Sequence, residues 1–234
     1  RGEVAKQPNI KRASGLNIID IIVDNNIVKG AIGLDIETGS YITIDTNAVV
    51  LAAGGLTRIF SRNSASLNMG GDAYALALRA GAELIDMEFV QFFPIGHLAP
   101  RLVGMDPIMW DPFRYKLGGR LLNGNREQFI ENYGGADGKS YTVGRDLASY
   151  AIIKEVEAGR GSPNGGAWLS FEHVPKVELE SAFGPIIKKL AENNIDLTKN
   201  AIEVSPIAHY HMGGIKVNTK MQTRIHGLFA AGEA

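Results

Sequence analysis

Short apolar runs separated by turn residues mark the first fifty positions of the chain. Residues 18–23, 27–35 and 41–44 are rich in isoleucine and valine, and Asp-Asn-Asn and Glu-Thr-Gly-Ser stand between them. This pattern predicts an antiparallel meander of three strands. Residues 48–53 then form a continuous apolar run, which predicts a strand covered on both faces, and the run leads directly into Gly54-Gly55.

The segment that follows has the composition of a helix. Residues 73–82 are rich in alanine and leucine, and we expect Asp72 to cap the N-terminus of this helix and Gly81 to end it. Helices are also predicted at residues 145–158 and 177–192, short strands at residues 88–94, 118–123, 168–171, 216–218 and 228–231, and a loop at residues 96–110.

The middle of the chain differs from its two flanks. Roughly residues 91–201 mix helices and strands, whereas the flanking segments combine apolar strands with glycine turns, as nucleotide-binding sheets do. This order predicts an α+β fold in which one domain is inserted between two parts of another.

Composition narrows the functional classes. A net charge of -1 over 234 residues gives no field that would attract nucleic acid, and the absence of cysteine excludes disulfides and thiolate sites. No apolar run approaches the ~20 residues that span a bilayer, so no membrane insertion is expected. The absence of cysteine suits a cytoplasmic protein. Because the chain begins with Arg1 and ends in an apolar, glycine-rich motif, we interpret it as a fragment of a longer protein.

Two histidines stand beside a glycine pair near the C-terminus. His209 and His211 alternate, and Gly213-Gly214 allows a backbone to approach a ligand closely. Zinc is an alternative for such a pair, but the sequence indicates no further ligand, and no metal site is predicted. The chain then ends in an apolar run that leads into Gly232-Glu233, a common end of a nucleotide-binding strand at its ligand.

Two arginines differ in their surroundings. Arg114 lies in an apolar and glycine-rich segment, where a cation is favourable mainly when an anion such as a substrate carboxylate accompanies it. Arg145 is interpreted as an ordinary surface charge.

Taken in order, these motifs resemble one family from about residue 18 to residue 234. The family is that of the flavoprotein subunits of succinate dehydrogenase and fumarate reductase, with L-aspartate oxidase and the adenylylsulfate reductase α subunit. The motifs that carry the resemblance are Val-Val-Leu-Ala-Ala-Gly-Gly at 49–55, Gly-Asp-Ala at 71–73, residues 80–92, Gly-Arg-Asp at 144–146, His-Tyr-His-Met-Gly-Gly-Ile at 209–215 and Gly-Leu-Phe-Ala-Ala-Gly-Glu at 227–233.

The resemblance implies an FAD-binding, Rossmann-like α/β domain with a β-meander, interrupted by a capping domain. Residues 1–90 and 206–234 would belong to the incomplete FAD-binding domain and residues 91–205 to the capping domain. A dicarboxylate would be held at the domain interface, with hydride transfer between flavin and a substrate carbon. An iron–sulfur subunit is an implied partner, through which the protein would lie at the periphery of a membrane.

The resemblance also implies roles for single residues. Arg114 would donate the proton, Asp111 would relay protons to it, and His209 would hold a substrate carboxylate. Residues implied to lie near the substrate are Gln91, Phe93, His211 and Gly213. Residues implied to line FAD are Gly54, Gly55, Gly71, Asp72, Gly232 and Glu233, the last at a ribose hydroxyl.

The sequence departs from the family pattern at two places. Phe93 and Ile95 replace the histidine and threonine of Gln-Tyr/Phe-His-Pro-Thr, and each lost partner of a carboxylate costs about 1–3 kcal/mol. The segment after Arg114 is one residue longer than Arg-Gly-Glu-Gly-Gly, so Lys116 or Arg120 could take its role. Two alternatives therefore stay open, namely a specialised reductase similar to adenylylsulfate reductase and a non-catalytic module that pairs with an iron–sulfur protein.

Overall fold

The computed structural model describes residues 2–99, 118–134 and 143–234. The chain forms two compact units, each assembled from separate stretches of sequence. The first comprises Arg1–Gly55, Gly71–Glu88 and Gly213–Ala234, and the second comprises Leu56–Gly70 and Phe89–Met212. The mixture of helices and sheets agrees with the predicted α+β class. The assignment of the units to FAD binding and to capping, with its boundaries after residues 90 and 205, stays a prediction.

A short helix α1 (Gly2–Ala5) and a three-stranded sheet begin the first unit. The strands β1 (Leu16–Asp24), β2 (Ile27–Asp35) and β3 (Tyr41–Asp45) pair antiparallel in sequence order, which confirms the predicted meander. Asn25 and Asn26 connect the first two strands with positive φ angles of 50° and 61°. Asparagine tolerates this conformation, and a two-residue turn of this kind suits the twist of a hairpin.

The first unit also contains a parallel pair of strands. β4 (Val49–Leu51) pairs with β11 (Leu228–Ala230). Val50 is 62% exposed, so the prediction that both faces of this strand are covered is wrong. Among the described residues β4 has only β11 as a partner in its sheet, and the face of the strand that carries Val50 is open.

A helix, α2 (Asp72–Arg79), and a small strand pair complete the first unit. Gly71 occupies the N-cap position with φ 88°, and no side chain caps the helix, so the prediction of Asp72 as the cap is wrong. Asp72 is the first helical residue, where its charge still suits the positive end of the helix dipole. Gly81, with φ 92°, follows the helix as predicted. The predicted strand at residues 216–218 is replaced by β10 (Gly214–Ile215), which pairs with β5 (Leu84–Ile85).

A four-stranded antiparallel sheet organises the second unit. Its order is β6-β9-β8-β7. The strands are β6 (Val90–Ala99), β7 (Arg120–Leu122), β8 (Ala167–Ser170) and β9 (Ile202–His211). β6 continues through residues 96–99, where a loop was predicted, because these residues pair with the first part of β9.

Two helices pack with this sheet. They are α3 (Arg145–Glu157) and α4 (Lys176–Ala191), and both were predicted within a residue. Phe183 interrupts α4 with φ −129°, two residues before Pro185, whose ring excludes a regular helix there. The main core of the unit consists of Phe93, Ile95, Leu169, Phe171, Val174, Leu179, Phe183, Leu190, Leu197, Ile202, Val204 and Ile207. Within the described residues, no helix is both long and apolar enough to cross a bilayer.

Candidate functional site

Two glycine turns lie at the same edge of the parallel strand pair in the first unit. Gly54 follows β4 with φ 81°, and Gly232 follows β11 with φ 83°. The register Leu51↔Ala230 and a hydrogen bond from Ala231 N to Leu51 O (3.0 Å) hold the two carboxyl ends side by side. Ligands of α/β sheets bind at the carboxyl ends of parallel strands, and only glycine adopts these φ angles without strain.

Glu233 presents its carboxylate at this edge. The Oε1 atom of Glu233 lies so close to Gly55 that a Cβ atom at residue 55 would overlap it. The backbone O of Glu233 accepts a hydrogen bond from Tyr74 Oη at 3.1 Å. Tyr74 therefore fixes the backbone of Glu233. The side chain of Glu233 fills the space that a Cβ atom at residue 55 would otherwise occupy.

The start of α2 joins the same group. Gly71 N donates to Gly55 O at 3.1 Å, which brings Asp72 and the start of α2 to the glycine pair. These residues fit FAD, because a carboxylate can accept hydrogen bonds from ribose hydroxyls while bare glycine backbone lets a nucleotide approach closely. The structure thus brings together all six residues predicted to line the cofactor.

In the second unit, His209 lies at an irregularity of the sheet. Gln91 pairs with Tyr210 and Phe92 with Ala208, so His209 is an extra residue of β9 between two successive pairs. Such bulges redirect a side chain out of the regular alternation of a strand. The imidazole of His209 meets the ring of Phe93 edge to face, with centroids 5.9 Å apart.

Arg145, the first residue of α3, contacts two residues of β6. Its Nη1 donates to Oε1 of Gln91 at 2.9 Å, and its Cζ lies 5.2 Å from the centroid of the Phe93 ring. Arg145 and Gln91 also line a cavity of 540 Å³, whose other walls include Phe92 and Tyr150. A guanidinium on an open cavity can meet an anion from solution, and its planar fork suits a carboxylate.

Burial and the charge of Arg145 both lower the pKa of His209. Loss of solvent lowers the pKa of the imidazole, and the positive charge of Arg145 lowers this pKa further. Both effects disfavour a second positive charge at this place. His209 is therefore a neutral hydrogen-bonding group at pH 7, next to the positive charge of Arg145.

The remaining predicted substrate residues in the described part of the chain, His211 and Gly213, belong to different units. His211 is 2% exposed and pairs with Val90. Gly213 belongs to the first unit, where a Cβ atom would overlap the backbone of Asp86, so the packing there requires a glycine. Arg114 and Asp111 lie outside the described residues, as does Lys116. Among the residues that the structure describes, no cluster of His, Asp or Glu could hold a metal ion.

Sequence reasoning interpreted Arg145 as an ordinary surface charge, and the residue is indeed exposed, but this interpretation did not place Arg145 at a candidate site. The motif Gly144-Arg145-Asp146 contained the signal, since it is one of the segments that carry the family resemblance. Phe93 and Ile95, the two departures from the family pattern, are 1% and 2% exposed and belong to the main core of the second unit. Their apolar character therefore also serves packing.

A glycine-lined carboxylate at the carboxyl ends of a parallel strand pair is typical of a nucleotide-binding α/β protein. The chain belongs to the FAD binding domain family, which it matches over residues 3–234. An FAD-dependent oxidoreductase of Methanocaldococcus jannaschii is 38% identical over 230 residues, covering 98% of this chain and 41% of that protein. A CoM/CoB fumarate reductase subunit of Methanothermobacter marburgensis is 33% identical over 225 residues, covering 96% of this chain and 40% of the relative.

A comparison with solved structures also finds a fumarate reductase. A variant of the quinol fumarate reductase of E. coli aligns with a TM-score of 0.83 at 31% identity, over 97% of this chain and 40% of that one. These matches confirm the resemblance to fumarate reductase and succinate dehydrogenase flavoproteins, and they confirm FAD as the cofactor. The chain spans about two fifths of the length of these relatives, 41% and 40% for the first two.

Proposed function

We propose that this chain is part of an FAD-dependent oxidoreductase that transfers a hydride between flavin and a carbon of a small carboxylate substrate. The observation that carries the proposal is the group formed by His209, Arg145 and Gln91, in which the guanidinium and the amide line an open cavity and a neutral imidazole lies beside the guanidinium. The similarity to fumarate reductase flavoproteins supports the same class of reaction.

The first unit would hold the cofactor. Gly54, Gly55 and Gly232 provide bare backbone for the dinucleotide, and Glu233 accepts hydrogen bonds from ribose hydroxyls. Bound FAD supplies the two-electron chemistry of the reaction. The protein residues bind and orient the dinucleotide, and Gly71 together with Asp72 presents the amides at the start of α2.

The second unit would act as the capping domain and hold the substrate. Arg145 offers a charged, planar donor for one carboxylate, and Gln91 fixes that guanidinium through its Oε1 atom. His209 adds a neutral donor, which avoids a second positive charge beside Arg145. Arg114 and Asp111 keep their proposed roles as proton donor and relay. Donors positioned in advance stabilise charge that develops on a carboxylate during hydride transfer.

An iron–sulfur protein is the proposed electron-transfer partner. The relative from Methanothermobacter marburgensis is one of the subunits of a fumarate reductase, as its name states. A flavoprotein of this class exchanges electrons with a second redox protein, and an iron–sulfur protein is the kind of partner that the family resemblance implies.

The full-length protein tests the proposal. Reduced flavin in the purified protein should be reoxidised by fumarate or another unsaturated carboxylate, at a rate followed by flavin absorbance. His209→Ala should lower kcat/KM by about 10²–10³-fold and leave the flavin content unchanged. The reason is that His209 lies among the residues proposed to hold the substrate and not among those proposed to line FAD. A colourless protein would favour the non-catalytic module. Equal losses of flavin and turnover in His209→Ala would make the histidine structural.

A further inference from the structure

The segment at residues 62–64 runs beside β9, next to His209. Ala208 N donates to Arg62 O at 2.9 Å, and Ser64 N donates to Ala208 O at 3.1 Å, which gives a parallel bridge between Asn63 and Ala208. β8 pairs with β9 only as far as Val204, so this segment takes up backbone groups of β9 beyond the end of β8. Ser64 is thereby fixed by backbone hydrogen bonds and not by its side chain.

Asn63 makes this segment rigid. Its side chain is buried, its Nδ2 donates to Phe60 O at 2.6 Å, and its Oδ1 accepts from Ala65 N at 3.1 Å. Arg62 adds a bond from Nη1 to Ser205 Oγ at 2.6 Å. The backbone on both sides of Ser64 is therefore held, which fixes the point from which its hydroxyl projects.

The hydroxyl of Ser64 reaches the imidazole of His209. Its Oγ lies 3.2 Å from Nδ1 of His209 and 3.5 Å from Ala208 O. The carbonyl is at the limit of a hydrogen bond, whereas the ring nitrogen is at an ordinary distance. The hydroxyl proton therefore has its better acceptor in Nδ1.

We propose that Ser64 is a positioning residue that donates to Nδ1 of His209 and so keeps the proton of the neutral imidazole on Nε2. This inference rests on the proposed function, in which His209 holds a substrate carboxylate. A neutral histidine can donate to a carboxylate only from a protonated nitrogen, and the hydrogen bond made by one ring nitrogen decides which nitrogen that is. Ser64 thus makes His209 a donor without making it a cation.

The charged surroundings of His209 agree with this role. Among the described residues, Arg145 at the start of α3 is the charged group that acts on the imidazole, and it disfavours protonation. Phe93 faces the ring from β6 and does not titrate. Arg62, on the same segment as Ser64, is bonded to Ser205. A bond from Ser64 to Nδ1 favours the neutral form as well, since it uses the lone pair that a proton would take.

The test uses three variants of the full-length protein, with fumarate as the probe. Ser64→Ala should raise KM about 10-fold at pH 8 and by less at pH 6, because loss of the bond raises the pKa of His209 and the cationic ring still donates from Nε2. The wild type should show a flat KM over this range. Ser64→Thr keeps a hydroxyl and should restore KM, and Ser61→Ala, at an exposed serine directly before the segment, should change nothing.

A second measurement does not depend on turnover. With ¹⁵N-labelled histidine, long-range ¹H–¹⁵N spectra of wild type and Ser64→Ala report which ring nitrogen carries the proton, and His209→Gln identifies the signal. The wild type should show the Nε2–H form, and Ser64→Ala a mixture. A wild-type Nδ1–H form, or a KM in Ser64→Ala that rises equally at both pH values, would overturn the proposal. A defined Nε2–H form without any carboxylate turnover would refute the proposed function alone.

Discussion

Gly55 and Glu233 are in direct contact at the carboxyl ends of two parallel strands, and the contact requires glycine. A Cβ atom at residue 55 would overlap the carboxylate of Glu233, although its nearest neighbours are side-chain atoms that can move. Gly55 therefore matters more for where the Glu233 carboxylate lies than for the stability of the fold. Three further residues of the cofactor group, Gly54, Gly71 and Gly232, have positive φ angles and shape the backbone instead.

Gly55→Ala should weaken FAD binding and leave the fold intact. The added methyl group displaces the Glu233 carboxylate, so we expect at least a 10-fold increase in the Kd for FAD, which corresponds to about 1.4 kcal/mol. Titration of the full-length apoprotein with FAD measures this change, and thermal unfolding of the apoprotein should stay within a few degrees. Gly184→Ala is the matched control, because a Cβ atom at residue 184 meets nothing within 4 Å. Unchanged FAD affinity in Gly55→Ala would remove Glu233 from the cofactor site.

Arg145→Gln should change both substrate affinity and pH dependence. The positive charge of Arg145 lowers the pKa of His209, so its removal should raise this pKa and move the histidine-dependent limb of the kcat/KM profile to higher pH. Loss of the cation should also raise KM about 10- to 100-fold, since charge-assisted hydrogen bonds contribute about 1.5–3 kcal/mol.

Two variants accompany this experiment. Arg145→Lys keeps the charge and should keep the pH profile, while its KM rises because lysine lacks the planar fork that contacts Gln91. Arg126→Gln removes another arginine that stacks on an aromatic ring, 4.1 Å from the centroid of Trp168, and should leave turnover unchanged. If Arg145→Gln retained wild-type KM, the substrate would not bind at this arginine.

The parts of the fold that the sequence predicted are those that local interactions determine. The meander depends on apolar runs and on a turn at Asn25 and Asn26, which neighbouring residues specify. The extent of β9 was not predicted, because Pro206 and the buried polar residues Glu203 and Ser205 interrupt its apolar pattern. Glu203 is compatible with burial because it accepts bonds from Asn164 at 2.7 and 2.6 Å, which are tertiary contacts.

The candidate site follows the same rule. The glycine turns and Glu233 could be predicted, since each turn directly follows its own strand and is visible as a short motif. Arg145 could not be recognised from spacing, because its partner Gln91 is 54 residues away in the sequence. Only the packing of α3 against β6 brings the two together, and no local pattern encodes that packing.

Phe93→His tests why an aromatic residue stands beside His209. A histidine adds a donor where the family pattern has one, so the kcat/KM for fumarate should rise about 10-fold, the value of one hydrogen bond of about 1.4 kcal/mol. Because Phe93 is 1% exposed, the same change should lower the free energy of unfolding by about 1–3 kcal/mol. Phe93→Leu keeps the site apolar and should not improve fumarate turnover. A fumarate rate that falls equally in both variants would show that the ring serves packing only.

A buried carboxylate in the second unit gives a prediction about stability. Glu155, which is 1% exposed, accepts hydrogen bonds from Arg160 Nη2 at 2.7 Å, Arg160 Nε at 3.0 Å, Tyr133 Oη at 2.6 Å and Asn123 Nδ2 at 3.0 Å. These bonds lower the pKa of Glu155 to about 2, and the bonds from Arg160 have the largest effect. Glu155→Gln should therefore reduce the free energy of unfolding at pH 7 by about 3 kcal/mol, because it leaves Arg160 without its carboxylate.

The pH dependence of this lost stability shows whether it comes from the charge of Glu155 or from the packing of its side chain. Because the folded pKa of Glu155 is depressed, its stabilisation is complete above the unfolded pKa of 4.5 and is lost as the pH falls towards about 2. Urea unfolding of wild type and Glu155→Gln should therefore differ most at pH 7 and converge below pH 4.5. Glu157→Gln, which breaks an exposed pair with Lys154 on the same helix, should cost less than about 1 kcal/mol. Below pH 4.5 the unfolded wild-type chain takes up a proton at Glu155, so the stabilisation by the charge should shrink. A difference in unfolding free energy between wild type and Glu155→Gln that stayed constant down to pH 3 would mean that the cost comes from packing.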